Sequence, residues 1–427
     1  MKENLILKAL SIRSFSYLMI SEFFSQFSMN LFNFILLILV FSLSKSNSAV
    51  SGVVIAFTLP SVIFGILAGV LVDRWNKKNV LFLTNIIRAL VVFPLAFFHQ
   101  NIALIYLITF GVSLVTQFFI PAETPMIPLL VRKELLLPAN ALFSMGIYAS
   151  LFLAYALSGP ILLIFGEKNI FTFLTILFLF AGFFAYLIKI KKSNKTFDRS
   201  NYVNQKIPTF KEEVKMVVDL ISKSKVLYYA LFSLTLAQVL IYIFAVVGPG
   251  YATHILRIRV ENFPLLFVAP AIIGVALGAL IIGSFLHEKS KSALTKFGLF
   301  IMGISIFLLP YGSKFESRQI VQFINLYLPH ILKINVLHIM VFLAFVLGFA
   351  IAFVFIPANT VLQEETSDDA RGKIYGVLNS LVGIVSIVPV LLVGGLADVI
   401  GVKAVITGLG IVVLLIAFIR TFITDKN

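Results

Sequence analysis

Apolar runs long enough to cross a bilayer recur along almost the whole chain, broken mostly by short polar turns. This recurrence limits the fold more than any other feature of the sequence. A spanning α-helix needs about 20 mostly apolar residues, and only helices or closed barrels satisfy their own backbone groups inside lipid. Twelve segments meet the requirement, at 15–41, 49–72, 80–98, 102–125, 138–165, 169–188, 227–250, 262–286, 293–311, 335–360, 375–397 and 401–421. Composition agrees, since 60% of the 427 residues are hydrophobic and 12% are charged, where a soluble domain carries about 25% charged residues. The fold class is therefore an all-α membrane protein of twelve transmembrane helices.

An even number of spans puts both termini on one side. With both in the cytosol, 25 of the 34 lysines and arginines fall in cytosolic segments and 8 in outer ones, with Arg88 inside a span. Bases collect on the cytosolic side of membrane proteins, which sets this orientation. The same bias accounts for the net charge of +15 without nucleic acid, for which a long basic tract with interleaved aromatics is missing. The first apolar run follows Lys2, Lys8 and Arg13, is too long for a signal-peptide core, and is expected to be kept as a span. Cysteine is absent, and His99, His254, His287, His330 and His338 lack zinc-binding spacing. No metal and no other cofactor is expected.

Two connections are long, 189–226 and 312–334. The first begins polar and then carries Phe210, Val214, Val217, Val218 and Ile221 at helical spacing, the pattern of an amphipathic helix at a membrane surface. It divides the chain into halves of six spans, 1–188 and 227–427. The halves echo each other. Ile120–Thr124 reads IPAET and Ile356–Thr360 reads IPANT, at an offset of 236. Gly69 and Lys77 align with Gly283 and Lys291 at an offset of 214. The two offsets differ by 22, close to the size of the 312–334 segment, which is expected to be an insertion, with a short helix as one form for it. Repeated six-helix halves are a transporter architecture.

The turn between spans 2 and 3, GVLVDRWNKKNVL, concentrates charge where the chain otherwise avoids it. Gly69, Asp73, Arg74, Lys77 and Lys78 match the signature that the major facilitator superfamily carries there, and the chain resembles that superfamily over nearly all its length. Asn76 stands in place of the usual glycine, and asparagine also tolerates a left-handed turn. The stretches around Pro121–Leu142 and Leu362–Gly383 are similar to bacterial drug and siderophore exporters of the macrolide-efflux and enterobactin-export kind. Ser28 and Met29 occupy the place of a Gly-Asp pair found in many such exporters.

The resemblance implies the major facilitator fold, two pseudo-symmetric six-helix bundles that rock about a central cavity, in the bacterial inner membrane. It implies that Asp73 faces the N-terminal end of span 11, whose positive helix end suits a carboxylate. Arg74, Lys77 and Lys78 can then meet Glu364, Glu365, Asp368 and Asp369, with Arg371 beside them, as a cytosolic latch. Solvation of cytosolic bases alone explains the lysines but not the acidic cluster. Small-residue stripes, Gly65/Gly69, Gly274/Gly278 and Gly146 to Ser158, allow close helix approach. They are expected at the sliding seam of spans 2, 5, 8 and 11, or in ordinary static packing.

Charges at lipid depth are costly and mark function by default. Glu22 on span 1 and Arg88 on span 3 are inside, and Glu123 lies near the inner end of span 4. Glu22, Gln26, Asn30 and Asn33 paint one polar stripe down span 1, while span 7 offers Gln238 and Tyr242 and span 11 offers Asn379. The stripe is the expected substrate path and Glu22 the expected proton carrier, coupled to Arg88. A permanent salt bridge among Glu22, Arg88 and Glu123 is the competing expectation. The function expected is secondary active export of a small amphipathic or hydrophobic molecule in exchange for protons, by a monomer in contact with the lipid bilayer. Lipid flipping or uptake by the same fold is the near alternative. A non-transporting sensor would carry an added domain, and an enzyme would need more clustered acid, base or metal groups than the spans contain.

Overall fold

The computed structural model describes residues 5–190, 224–286, 288–312, 319–327, 335–366 and 368–422. The amphipathic helix expected over 210–221 lies outside these residues. Among the described residues the regular elements are all helical. We label the long helices α1 (Arg13–Ser44), α2 (Asn47–Arg74), α3 (Lys77–Val92), α4 (Ile102–Glu123), α5 (Leu136–Leu187), α6 (Lys225–His254), α7 (Ala269–Phe285) and α8 (Lys291–Leu308). They continue with the short α9 (Gln319–Tyr327), then α10 (Val336–Glu364), α11 (Asp368–Ile400) and α12 (Val402–Phe422). α9 supplies a short helix within the 312–334 segment.

Eleven of the described helices are long and apolar enough to cross a bilayer. One of them, Pro138–Leu187, has 50 residues, a length of about 75 Å if straight, more than twice the hydrocarbon core of about 30 Å. Gly166 breaks it with φ 71 and ψ 168. The expected fifth and sixth spans are thus two helical arms joined at Gly166, a residue that tolerates positive φ. Prolines inside helices, including Pro60, Pro121, Pro160 and Pro357, are tolerated because neighbouring helices resatisfy the freed carbonyls.

The α2–α3 turn differs in detail from the expectation. Asn76 is extended, at φ −71 and ψ 110, and caps α3 by accepting from the Asn79 amide at 3.3 Å. A helix start needs an acceptor for its first N–H groups, and asparagine meets that need without a left-handed turn.

The chain forms two compact units. One holds Met1–Leu36 and Ile55–Val214; the other holds Leu37–Val54 and Lys215–Asn427. In the first, Phe15 and Leu18 of α1 pack with Val72, Leu81, Phe119 and Phe143 of α2 to α5. In the second, Leu227, Leu231 and Leu234 of α6 pack with Leu362, Ile374 and Leu378 of α10 and α11. The tip of the α1–α2 hairpin therefore belongs to the second unit, although both its helices begin or end in the first.

Close approach within the second unit depends on glycine. A Cβ on Gly348 of α10 would overlap the Ala271 carbonyl, and one on Gly274 of α7 would overlap the Phe345 carbonyl. Gly278 faces Phe349 and Ala352 of α10 in the same way. The Gly274/Gly278 stripe thus packs α7 closely on α10, as the packing expectation has it. Gly348→Ala is expected to force the helices apart at about 1–3 kcal/mol or more, seen as a lower unfolding temperature in detergent. Gly408→Ala, where a Cβ meets nothing within 4 Å, is the control and should change little.

Candidate functional site

Three helices of the first unit bring ionisable groups together within their apolar lengths. On α1, Glu22, Ser25 and Gln26 lie on one face, being three and four residues apart. On α3, Asn85 and Arg88 share a face in the same way, and Glu123 sits at the end of α4. All three charged residues are buried: Glu22 is 2% exposed, Arg88 1% and Glu123 8%. The structure thus joins the three residues that hydropathy alone marks as anomalous.

Gln26 bridges the carboxylates. Its Nε2 donates to Glu22 Oε1 at 2.8 Å and reaches Glu123 Oε2 at 3.3 Å. Arg88 is held differently. Its Nη1 donates to Ser25 Oγ at 2.9 Å, Ser25 Oγ donates to Asn85 Oδ1 at 2.8 Å, and Asn85 Nδ2 donates to the Leu81 carbonyl at 2.9 Å. The guanidinium carbon also stands 4.3 Å from the Phe119 ring centre and 5.9 Å from that of Phe178, distances that give cation–π attraction. Arg88 Nε, Arg88 Nη2 and Glu22 Oε2 are buried without a hydrogen-bond partner among the described residues. Polar atoms left without partners in an apolar interior are costly. Ser25 and Asn85 were not among the expected site residues, since a serine and an asparagine in an apolar run carry no distinguishing signal. Their positions three residues from Glu22 and Arg88 were the only clue.

The polar stripe continues along α1 toward α4. Asn30 Nδ2 donates back to the Gln26 carbonyl at 2.8 Å, and Thr116 Oγ1 lies 3.7 Å from Met29 Sδ. Asn33 Oδ1 and Ser113 Oγ are buried without partners among the described residues. Gln238 and Tyr242 of α6, both half-buried, and Asn379 of α11, exposed, belong to the second unit.

At the α2–α3 turn, Arg74 and Glu365 are exposed, and a Cβ at Gly69 would meet nothing within 4 Å. Lys77 Nζ donates to the Val72 carbonyl at 2.9 Å, closing the end of α2, and Lys78 Nζ sits 5.2 Å over the Tyr186 ring of α5. Glu364 pairs with Lys291 of α8, the lysine that the internal repeat aligns with Lys77. The side chains of Asp73, Asp368, Asp369 and Arg371 lie outside the described residues. The Lys291 and Glu364 side chains are 36% and 55% exposed, so solvent screens the pair and Lys291→Ala should cost under about 1 kcal/mol by thermal unfolding.

Apolar passes around a buried ionic cluster mark a multi-pass membrane protein with a functional interior. The sequence pattern of the Major Facilitator Superfamily matches residues 18–328, and the chain belongs to that superfamily. Two relatives come from Bacillus subtilis (strain 168). The uncharacterized MFS-type transporter YkuC is 27% identical over 281 residues, 60% of each chain. The uncharacterized MFS-type transporter YfiS is 22% identical over 394 residues, 90% of this chain and 87% of its own. The fold is shared with the nucleoside transporter NupG, at a TM-score of 0.69 and 15% identity, covering 99% of this chain and 100% of that one. It is shared too with a bacterial homolog of the human lysosomal transporter Spinster, inward-facing and occupied, at 0.69 and 13%, covering 97% and 98%. The POT family transporter PepTSo matches at 0.65 and 15%, covering 96% and 97%.

Proposed function

We propose that this transporter is a proton-coupled exporter of a small amphipathic or hydrophobic molecule, working by rocking of two six-helix bundles in the bacterial inner membrane. The observation that carries the reading is the burial of two carboxylates beside one guanidinium. With Glu22 and Glu123 both charged, the cluster keeps one uncompensated negative charge where charge is expensive. One proton on the pair balances it, and its loss and recovery on opposite sides of the membrane couples the cycle to the proton gradient. Glu22, with Gln26 next to it, is the group nearest the polar stripe and the preferred carrier.

In this reading Gln26, Asn30 and Asn33 line the substrate path from one bundle, and Gln238, Tyr242 and Asn379 from the other. The bundles are 1–188 and 227–427, joined by 189–226, and the protein acts as a monomer with both termini cytosolic. Asp73, Arg74, Lys77 and Lys78 form the cytosolic latch with Glu364, Glu365, Asp368, Asp369 and Arg371. The deciding experiment is transport into inverted membrane vesicles across a panel of amphipathic compounds, with and without a pH gradient. Accumulation that needs the gradient supports export. Movement only in the opposite direction would make the protein an uptake carrier built on the same cluster. Movement of a labelled phospholipid alone would make it a flippase.

A further inference from the structure

The turn between α1 and α2 is fastened to the end of α11 by one carboxylate. Asp398, two residues before the end of α11, accepts from Ser46 Oγ at 2.6 Å, from the Asn47 amide at 2.7 Å and from Asn47 Nδ2 at 2.9 Å. It also accepts from the Ser48 amide at 2.9 Å and from Ser48 Oγ at 2.7 Å. The first N–H groups of any helix lack acceptors within it. For α2 the acceptor comes from a residue 351 positions away, and it is an anion placed at the positive end of the helix. One turn deeper, Ser51 Oγ donates to the Val390 carbonyl at 2.8 Å. Gly394 stands between these bonds, and a Cβ there would overlap Ser51 Oγ.

The fastening is polar and reaches solvent, for Ser48 and Asp398 are exposed. Water can take the place of these bonds when the two elements part. The chain runs from this tip straight back into the first unit, at Leu36 on one side and Ile55 on the other. α2 runs from this tip, at Asn47, to the α2–α3 turn at its other end, Arg74. Asp398 also mirrors the part expected of Asp73, with the roles of α2 and α11 exchanged.

We propose that Asp398 is a gating residue, the releasable clasp that holds the access path shut on the face opposite the cytosolic latch. The proposal rests on the alternating-access reading above. It makes Asp398 a residue that sets the balance between two conformations, without contact with substrate or proton.

The chain contains no cysteine, so spin labels can be placed on Lys45→Cys and Lys403→Cys, both at exposed positions, one on each side of the clasp. In proteoliposomes the pair is expected to show a dominant short distance and a minor longer one, with the longer one responding to the proton gradient. Asp398→Asn, which carries no charge and brings an N–H into a ring of donors, is expected to make the longer distance dominant. Ser46→Ala/Ser48→Ala, which leaves the carboxylate and its remaining donors in place, should shift the balance part of the way. If Asp398→Asn lowers thermal stability but leaves the distances of the folded protein unchanged, the residue is structural and the proposal is overturned. A parent pair fixed at one distance with and without the gradient would overturn the alternating-access reading, and the clasp with it. A switching parent with an indifferent Asp398→Asn variant overturns the clasp alone.

Discussion

Glu22→Gln is expected to abolish the pH-driven part of transport while leaving the protein folded. Glutamine nearly matches glutamate in shape and keeps an oxygen that can accept from Gln26 Nε2, now 2.8 Å from Glu22 Oε1. What it removes is the charge. In the variant one carboxylate, Glu123, faces one guanidinium, Arg88, and the cluster is neutral without any exchangeable proton. One proton moving down 100 mV can sustain about a fiftyfold gradient of an exchanged solute. In inverted vesicles that gradient should collapse to none in the variant, and downhill movement should persist. Glu123→Gln should behave alike, since the charge count is the same from either side. Full pH-dependent accumulation in both variants would remove the proton from this cluster.

Arg88→Met should be the most damaging single change to stability in the first unit. It deletes the positive charge beside Glu22 and Glu123 and the two ring contacts that hold it, at Phe119 and Phe178. Removing one partner of a buried ionic group typically costs about 3–5 kcal/mol, because the other charge stays buried and uncompensated. The folded yield and the unfolding temperature in detergent should fall steeply. Combining it with Glu123→Gln removes one of the stranded charges and should restore part of the loss. Equal stability of Arg88→Met and the parent would show that the guanidinium does not balance the carboxylates, and the charge argument would fail with it.

Both expectations concern residues legible in the sequence itself, and the reason is physical. Glu22 and Arg88 interrupt apolar runs, and charge at lipid depth stands out against a background of Leu, Ile and Phe. The spans were legible because their length is dictated by bilayer thickness, and the superfamily because Gly69, Asp73, Arg74, Lys77 and Lys78 keep its spacing. Polar groups that act through partners far away in sequence left no such mark. Ser25 and Asn85 hold Arg88 by hydrogen bonds, yet each by itself is an ordinary residue of a transmembrane helix. Asp398 had no signal at all, since nothing near it predicts that its carboxylate would serve Ser46 to Ser48. The Gly274/Gly278 stripe was visible as a pattern, but a spacing of four says that some helix comes close without saying which. Gly348, on α10, is the partner that decides it.

The hairpin tip has one further implication, for the order in which the polypeptide is made. Residues 46–48 leave the ribosome some 350 positions ahead of the carboxylate they require, and chains are synthesised at about 5–20 residues per second. For tens of seconds the start of α2 must wait, wetted or held by a chaperone, before its cap exists. Maturation of the earliest loop is thereby deferred until the penultimate helix has been inserted, and a chain truncated before α11 should expose that loop to protease.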